Sequence, residues 1–237
     1  MVEQASYKQI SIDKYKALAA DYDASAQFTM PLRRRTIALL NLQPGDVVLD
    51  VGAGTGLSYE LLLQAVGPEG QVLAFEQSPD MFARAQARCH PSSDAPSAIR
   101  RQDGAGSSMA SLWSGSSASC VGPLWHRCAS AETVQLPMAP TAILFNYTHD
   151  ICRSPLAVRN IVRQAAPGAR IAMAGMKFFP WWTGPLNLLP WAKNRPYNAR
   201  AADLWTPWDI VASQCGSFEW EPTQWGMGYV AHGCLKR

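Results

Sequence analysis

The chain has 237 residues, 48% of them apolar and 16% charged, with a formal net charge of +3. That length suits a single domain with a real core, and so small a charge argues against a nucleic-acid partner. The opening MVEQASYKQISIDKYKALAADYD lacks the apolar core of a secretory signal. No window reaches the roughly 18 consecutive apolar residues that a membrane span needs, so a cytoplasmic protein is expected.

The first expected helix covers 5–24, with Ile10, Tyr15, Leu18 and Tyr22 loosely on one stripe. Arg33, Arg34 and Arg35 form a basic shoulder before a second helix at Ile37–Leu42, and residues 1–35 read as an N-terminal helical cap. A turn at Gln43–Asp46 leads into Val47–Val51, a short continuous apolar strand of the kind buried on both faces of a parallel sheet. A helix from Leu57 ends near Gly67-Pro68, and Gln71–Phe75 forms the next strand, stopping at Glu76. Ser78 then caps a helix that has Pro79 at its first position. Strand alternating with helix in this rhythm implies an α/β domain with a parallel sheet.

Residues 91–127 break the rhythm. They are rich in Ser, Ala, Gly and Pro without an apolar period, and read as a disordered or irregular insertion where a strand is due. The alternation returns with a strand at Thr141–Tyr147, a helix from Ser154 to Ala165 and a strand at Ala169–Ala174. Residues 178–208 are interrupted by Gly, Pro and Trp and read as a substrate-side aromatic segment, in which prolines and Gly184 oppose a regular helix at 178–191. A short helix follows Pro207, and 217–235 reads as two antiparallel strands turning near Gly226. The six cysteines, Cys89, Cys120, Cys128, Cys152, Cys215 and Cys234, show no C-x-x-C pair. Cys120, His126 and Cys128 match no zinc spacing, so reduced thiols and no metal site are expected.

The chemistry concentrates in VVLDVGAGTGLSYELLL at 47–63. A strand, a glycine loop and a helix start present bare backbone N–H groups to a ligand. Leu57-Ser58 excludes the Gly-Lys-Ser/Thr of a phosphate-binding P-loop. Leu57 also replaces the third glycine of the dinucleotide pattern G-x-G-x-x-G, which weakens a nicotinamide reading without excluding it. What stands is Asp50-x-Gly52-x-Gly54-x-Gly56, followed 20 residues later by Glu76 at the end of the second strand. An acid there can accept both ribose hydroxyls of an adenosine. A glycine loop kept only for its tight turn is the plainer alternative.

At these residues the sequence resembles the class I S-adenosylmethionine-dependent methyltransferases. VLDVGAGTG is similar to their first motif and LAFEQSPDM to their second; SAETVQLP, AILFNYTHD and PGARIAMAG resemble the later ones, in the same order. The resemblance covers about 20–90 and 129–177 and implies a Rossmann-like, doubly wound, mostly parallel sheet with a C-terminal antiparallel hairpin. It implies S-adenosyl-L-methionine as cofactor, with Gly52, Gly54 and Gly56 admitting the methionine part, Asp50 anchoring that loop and the amino group, and Glu76 holding the ribose. Ser130 and Ala131 would touch the adenine, where many family members place Asp at the position of Ser130. Asn146 would close the strand that ends beside the transferred methyl.

Tyr147, His149 and Asp150 follow that strand at the carboxyl edge, where open α/β sheets bind ligands. His149 is a candidate base for an acceptor that must lose a proton, or else merely orders the loop through Asp150. The expected acceptor is a small molecule, a quinone-like compound or a lipid head group. Residues 178–191 form either an apolar lip with peripheral membrane contact, a cap on the core or a dimer contact. A non-catalytic S-adenosylmethionine binder and a nicotinamide-dependent oxidoreductase are the competing functions, the latter lacking a Tyr-x-x-x-Lys pattern.

Overall fold

The computed structural model describes residues 27–89, 118–121, 123–194 and 204–236. The expected helix at 5–24 lies outside them, as do residues 90–117 of the Ser- and Gly-rich stretch. Among the described residues, eight strands form one sheet: β1 (Val47–Val51), β2 (Gln71–Glu76), β3 (Ala118–Val121), β4 (Leu124–Cys128), β5 (Ala142–Asn146), β6 (Arg170–Met176), β7 (Cys215–Thr223) and β8 (Gly228–Leu235). Their order is β3-β4-β2-β1-β5-β6-β8-β7. The strands from β4 through β2, β1 and β5 to β6 run parallel. β8 is antiparallel to β6 and to β7, which gives the expected C-terminal hairpin, turning at Gln224–Gly226.

The continuous apolar strands are explained by two cores. Leu49, Val51, Leu73, Phe75, Ile143, Phe145, Ile171 and Met173 enter one layer. The residues between them, Val48, Val72, Ala74, Ala142, Leu144 and Ala172, enter the other. A strand buried on both faces has no polar alternate, because successive side chains point to opposite sides. The helices covering the sheet include α1 (Met30–Leu39), α2 (Tyr59–Val66), α3 (Pro79–Cys89) and α5 (Pro155–Val162), with a single turn, α4 (His149–Cys152), between β5 and α5. Serines begin two of them as the sequence suggests. Met81 N–H donates to Ser78 Oγ at 3.5 Å, and Ala157 N–H to Ser154 Oγ at 3.3 Å.

Three expectations are corrected. The strand missing from 91–127 is β4, entered from β3, so the far end of that stretch is an edge hairpin rather than an insertion. Its sequence LWHRC hides the strand because a buried His126 stands where an apolar residue is looked for, and Trp125 and Arg127 are only half-covered. The second helix begins at Met30, not Ile37, so the three arginines lie within it. Arg33 shares the buried face with Leu32, Thr36 and Ile37, a spacing of three to four residues that a helix brings together. Finally, after a 3₁₀ segment at Trp181–Asn187, α6 (Leu188–Asn194) is helical although it contains Pro190. Pro190 falls in the first turn, where the backbone N–H it lacks has no intrahelical partner to lose.

Candidate functional site

The chain leaves β1 toward β2 on one side and returns to β5 on the other, so the strand order reverses between β1 and β5. At the carboxyl ends of these strands an open cleft of about 530 Å³ is lined by Arg33, Gly52, Gly54, Glu76, Asn146, Tyr147 and Asp150 among others. A crevice at such a reversal is where open α/β sheets bind their ligands.

Gly52, Gly54 and Gly56 all have positive φ, at 61°, 60° and 79°. A Cβ on Gly52 would lie 2.8 Å from Thr148 Cγ2, and one on Gly56 would lie 2.5 Å from the Tyr59 ring. A Cβ on Gly54 would meet nothing within 4 Å. The first and last are therefore demanded by packing, whereas Gly54 is bare toward the open cleft. Gly56 is not among the residues that line the cleft, although Thr55 and Leu57 on either side of it are.

Glu76 braces the loop from the end of β2. Its carboxylate accepts from Gly54 N–H at 2.9 Å and from Ser78 N–H at 2.7 Å. Burial pushes its pKa up to about 7, against the lowering effect of those two bonds. Each oxygen has a further lone pair for a hydroxyl donor. Asp50 is fully inside, 1% exposed, with Oδ2 unpartnered, and lies beneath the loop rather than in the cleft wall. Burial pushes its pKa to about 7 even though the Arg33 charge and the Ser58 hydroxyl favour the ionised form. Arg33, buried itself, donates from Nη1 to Ser58 Oγ at 2.6 Å and keeps Nε without a partner. A buried charge left short of partners is costly. Here an acid and a base face one ligand loop with bonding capacity unspent.

Across the cleft, Asn146 at the end of β5 is 6% exposed, and neither atom of its amide has a partner. Tyr147 follows with φ 61°, and Gln224 Nε2 donates to its hydroxyl at 3.5 Å. Asp150 accepts from Gln77 Nε2 at 3.0 Å. Three expected residues are not brought to this wall. The His149 ring turns toward β6, where Nε2 lies 2.7 Å from Met176 O and 3.0 Å from Met176 N, and it is not among the cleft residues. Ser130 accepts from Glu132 N–H at 3.4 Å in the turn after β4, and Ala131 is buried in the core beneath Asn160. Neither lines the cleft. Arg33, Gln77 and Thr148 do line it and were not anticipated. Reading α1 from Met30 would have placed Arg33 on the inner face, while Gln77 and Thr148 carry no signal beyond following a strand end.

Strand order, switch-point cleft and glycine loop together define an α/β protein built to bind an adenosine-type ligand. Residues 3–109 match the family model described as protein-L-isoaspartate(D-aspartate) O-methyltransferase. A malonyl-[acyl-carrier protein] O-methyltransferase of Marinomonas sp. (strain MWYL1) is 32% identical over 87 residues, covering 37% of this chain and 32% of that protein. The chain spans about a third or less of the length of the curated relatives it matches. Among solved structures, a SAM-dependent methyltransferase from Aquifex aeolicus aligns with TM-score 0.56 at 16% identity, over 86% of this chain and 89% of that one. The N-methyltransferase NodS from Bradyrhizobium japonicum WM9, in complex with S-adenosyl-L-homocysteine, aligns with TM-score 0.51 at 14% identity, over 86% and 87%. The chain shares the fold of these S-adenosylmethionine-dependent methyltransferases.

Proposed function

We propose that this chain transfers a methyl group from S-adenosyl-L-methionine, held in the β1–β5 cleft, to a small-molecule, quinone-like or lipid head-group acceptor. The observation that carries the reading is Asn146. Both polar atoms of a side chain 94% buried stand without partners in a wall facing a bare glycine loop, and a ligand with its own donors and acceptors relieves that cost. The residues present fit the donor. Gly54 leaves room for it, Glu76 can accept ribose hydroxyls, and Arg33 offers a guanidinium to its carboxylate. When bound, that donor supplies a methyl already activated on a sulfonium.

What the chain adds is chiefly alignment in a partly dry cleft. With Glu76 given to the ribose, Asp150, oriented by Gln77, is the cleft carboxylate left to face the acceptor. Burial raises the Tyr147 pKa, so its phenol stays protonated and orients rather than acting as a base. His149 acts here by fixing the β5–α4 loop to Met176 rather than as a base. The same occupied imidazole favours a second reading, a non-catalytic S-adenosylmethionine binder.

Calorimetric titration with S-adenosylmethionine, S-adenosylhomocysteine and NAD tests the site. Binding of the first two and not of NAD is expected, and Glu76→Ala should weaken it by roughly 1.5–3 kcal/mol. Equal binding of NAD, or unchanged affinity in a folded Glu76→Ala protein, defeats the assignment. Tight binding with no methylated product from any acceptor class selects the non-catalytic reading.

A further inference from the structure

We propose that the aromatic groove at the carboxyl end of β6 is a second ligand site, which takes a small amphiphile whose apolar body carries a single carboxylate paired with Lys177. The groove has a volume of about 430 Å³ between Lys177, Phe178, Trp181, Trp205, Trp208 and Trp220. That is the size range of sites for small organic ligands. Its walls are flat. Trp208 stacks on Trp220 with centroids 4.4 Å apart at 27°, and Phe178 meets Trp205 edge-on at 5.0 Å.

The polar element is Lys177. Although a lysine, it is only 7% exposed. Its ammonium donates to Phe178 O at 2.7 Å and Gly226 O at 3.4 Å, and stands 5.6 Å from the Trp220 ring centroid. These are neutral partners. Among the described residues no carboxylate comes within ion-pair distance of it. An ammonium has three protons, and the third has no acceptor in the described structure. Lysine almost never goes inside unpaired, because withdrawing the charge from water costs more than two carbonyls return. A ligand anion supplies the missing charge.

The head is a carboxylate rather than a phosphate because, among the described residues that line the groove, Lys177 is the one that carries a charge. A monoanion matches that single cation, whereas a phosphate dianion would bring a second charge with nothing to meet it. The body is apolar because most of the described lining is aromatic, from Phe178, Phe179, Trp181, Trp205, Trp208 and Trp220. This site needs neither the cofactor nor methyl transfer, so it stands or falls separately from the function proposed above.

The test titrates the full chain, below micelle-forming concentrations, with decanoate, decan-1-ol and decyltrimethylammonium, following tryptophan fluorescence and calorimetric stoichiometry. Decanoate should bind one equivalent at least ten-fold more tightly than decanol, the effect expected of one charge-assisted hydrogen bond. The cationic probe should bind most weakly. Lys177→Met should remove the preference for decanoate while leaving decanol unchanged. If Lys177→Met does not fold, Trp220→Leu decides, since that half-exposed side chain is dispensable to the core. It should weaken both acid and alcohol several-fold. Acid and alcohol binding alike in the unmodified protein, a preference that survives Lys177→Met, uptake of many equivalents, or Trp220→Leu without effect each overturns the proposal.

Discussion

Two aspartates four residues apart mark the two ends of β1, and the protein treats them in opposite ways. At the amino end, Asp46 accepts from Gln43 N–H at 2.6 Å, Thr141 Oγ1 at 2.8 Å and Arg170 Nη2 at 2.5 Å. Burial raises its pKa, but these bonds and the Arg170 charge outweigh it, so the carboxyl lies below its ordinary value. At the carboxyl end, Asp50 is left with an unpartnered oxygen and a pKa raised to about 7, and neither atom of the Asn146 side-chain amide opposite has a partner. One end is satisfied by its own chain and stabilises the fold. The other carries polar groups whose partners must come from outside. The same strand therefore tells structure from site by where its bonding capacity is spent.

The glycine loop offers the largest effects with which to break that contrast. Gly56→Ala places a methyl 2.5 Å from the ring of Tyr59, which is 0% exposed and has nowhere to go. With the strain of a positive φ added, a stability loss of roughly 3 kcal/mol is expected, visible in denaturant unfolding. Gly54→Val has open space on the protein side, so its cost is mainly the φ strain, about 1–2 kcal/mol. Its effect should fall on S-adenosylmethionine affinity, which should vanish in calorimetry. If Gly54→Val unfolds the protein while Gly56→Ala spares it, the division between packing glycine and ligand glycine is wrong.

That division was only half legible in the sequence. The three glycines announce a loop, yet nothing in G-x-G-x-G says which one faces a ligand; only the position of Tyr59, itself placed by the phase of α2, decides. The parallel strands were readable because burial on both faces makes them continuously apolar, and the order of motifs was enough to place Glu76 at a strand end. Arg33 was missed because a charged residue is normally assigned to a solvated face, and its burial depends on α1 starting at Met30. Ser130 and His149 were placed by motif order, which fixes a backbone position but not where a side chain turns. His149 turns to Met176 because that strand end offers both a donor and an acceptor.

A titration of stability sharpens the comparison, because the two ends carry opposite signs. Asp46 has a lowered pKa in the fold, so it contributes stability above its ordinary value of 3.8 that is lost as pH falls through the lower folded value. Asp46→Ala should cost about 2 kcal/mol at pH 7, progressively less in acid, and leave cofactor affinity unchanged. Glu76 has a raised folded pKa, so the unfolded chain ionises first. Without ligand, stability should therefore decline as pH rises from 4.5 to about 7, by up to about 3 kcal/mol from this residue. Glu76→Gln should flatten that slope. Urea midpoints from pH 4 to 8 measure both; a Glu76→Gln protein that keeps the full slope removes the carboxyl end from the account.

The smallest effect on stability is expected where the chain looks most apolar. Residues 178–191 were open to three readings, and the reading as a core cap does not survive, because Trp181 and Trp182 are 77% and 71% exposed and touch each other edge-on. Leu186, Leu188, Leu189 and Trp191 are also exposed beside them. Large apolar residues exposed as a contiguous patch mark a surface that meets something apolar. Replacing both tryptophans with Ala should therefore shift unfolding by no more than about 0.5 kcal/mol, as for other surface substitutions. A truncated core tryptophan would instead cost roughly 3–5 kcal/mol. The consequence should appear in partition onto vesicles, where indole rings favour the interface between hydrocarbon and water. Vesicle binding lost with oligomeric state intact in sedimentation supports an apolar lip. A shift toward monomer, with vesicle binding unchanged, makes the patch a subunit contact instead. A large fall in stability contradicts the exposure of both rings and returns them to the core.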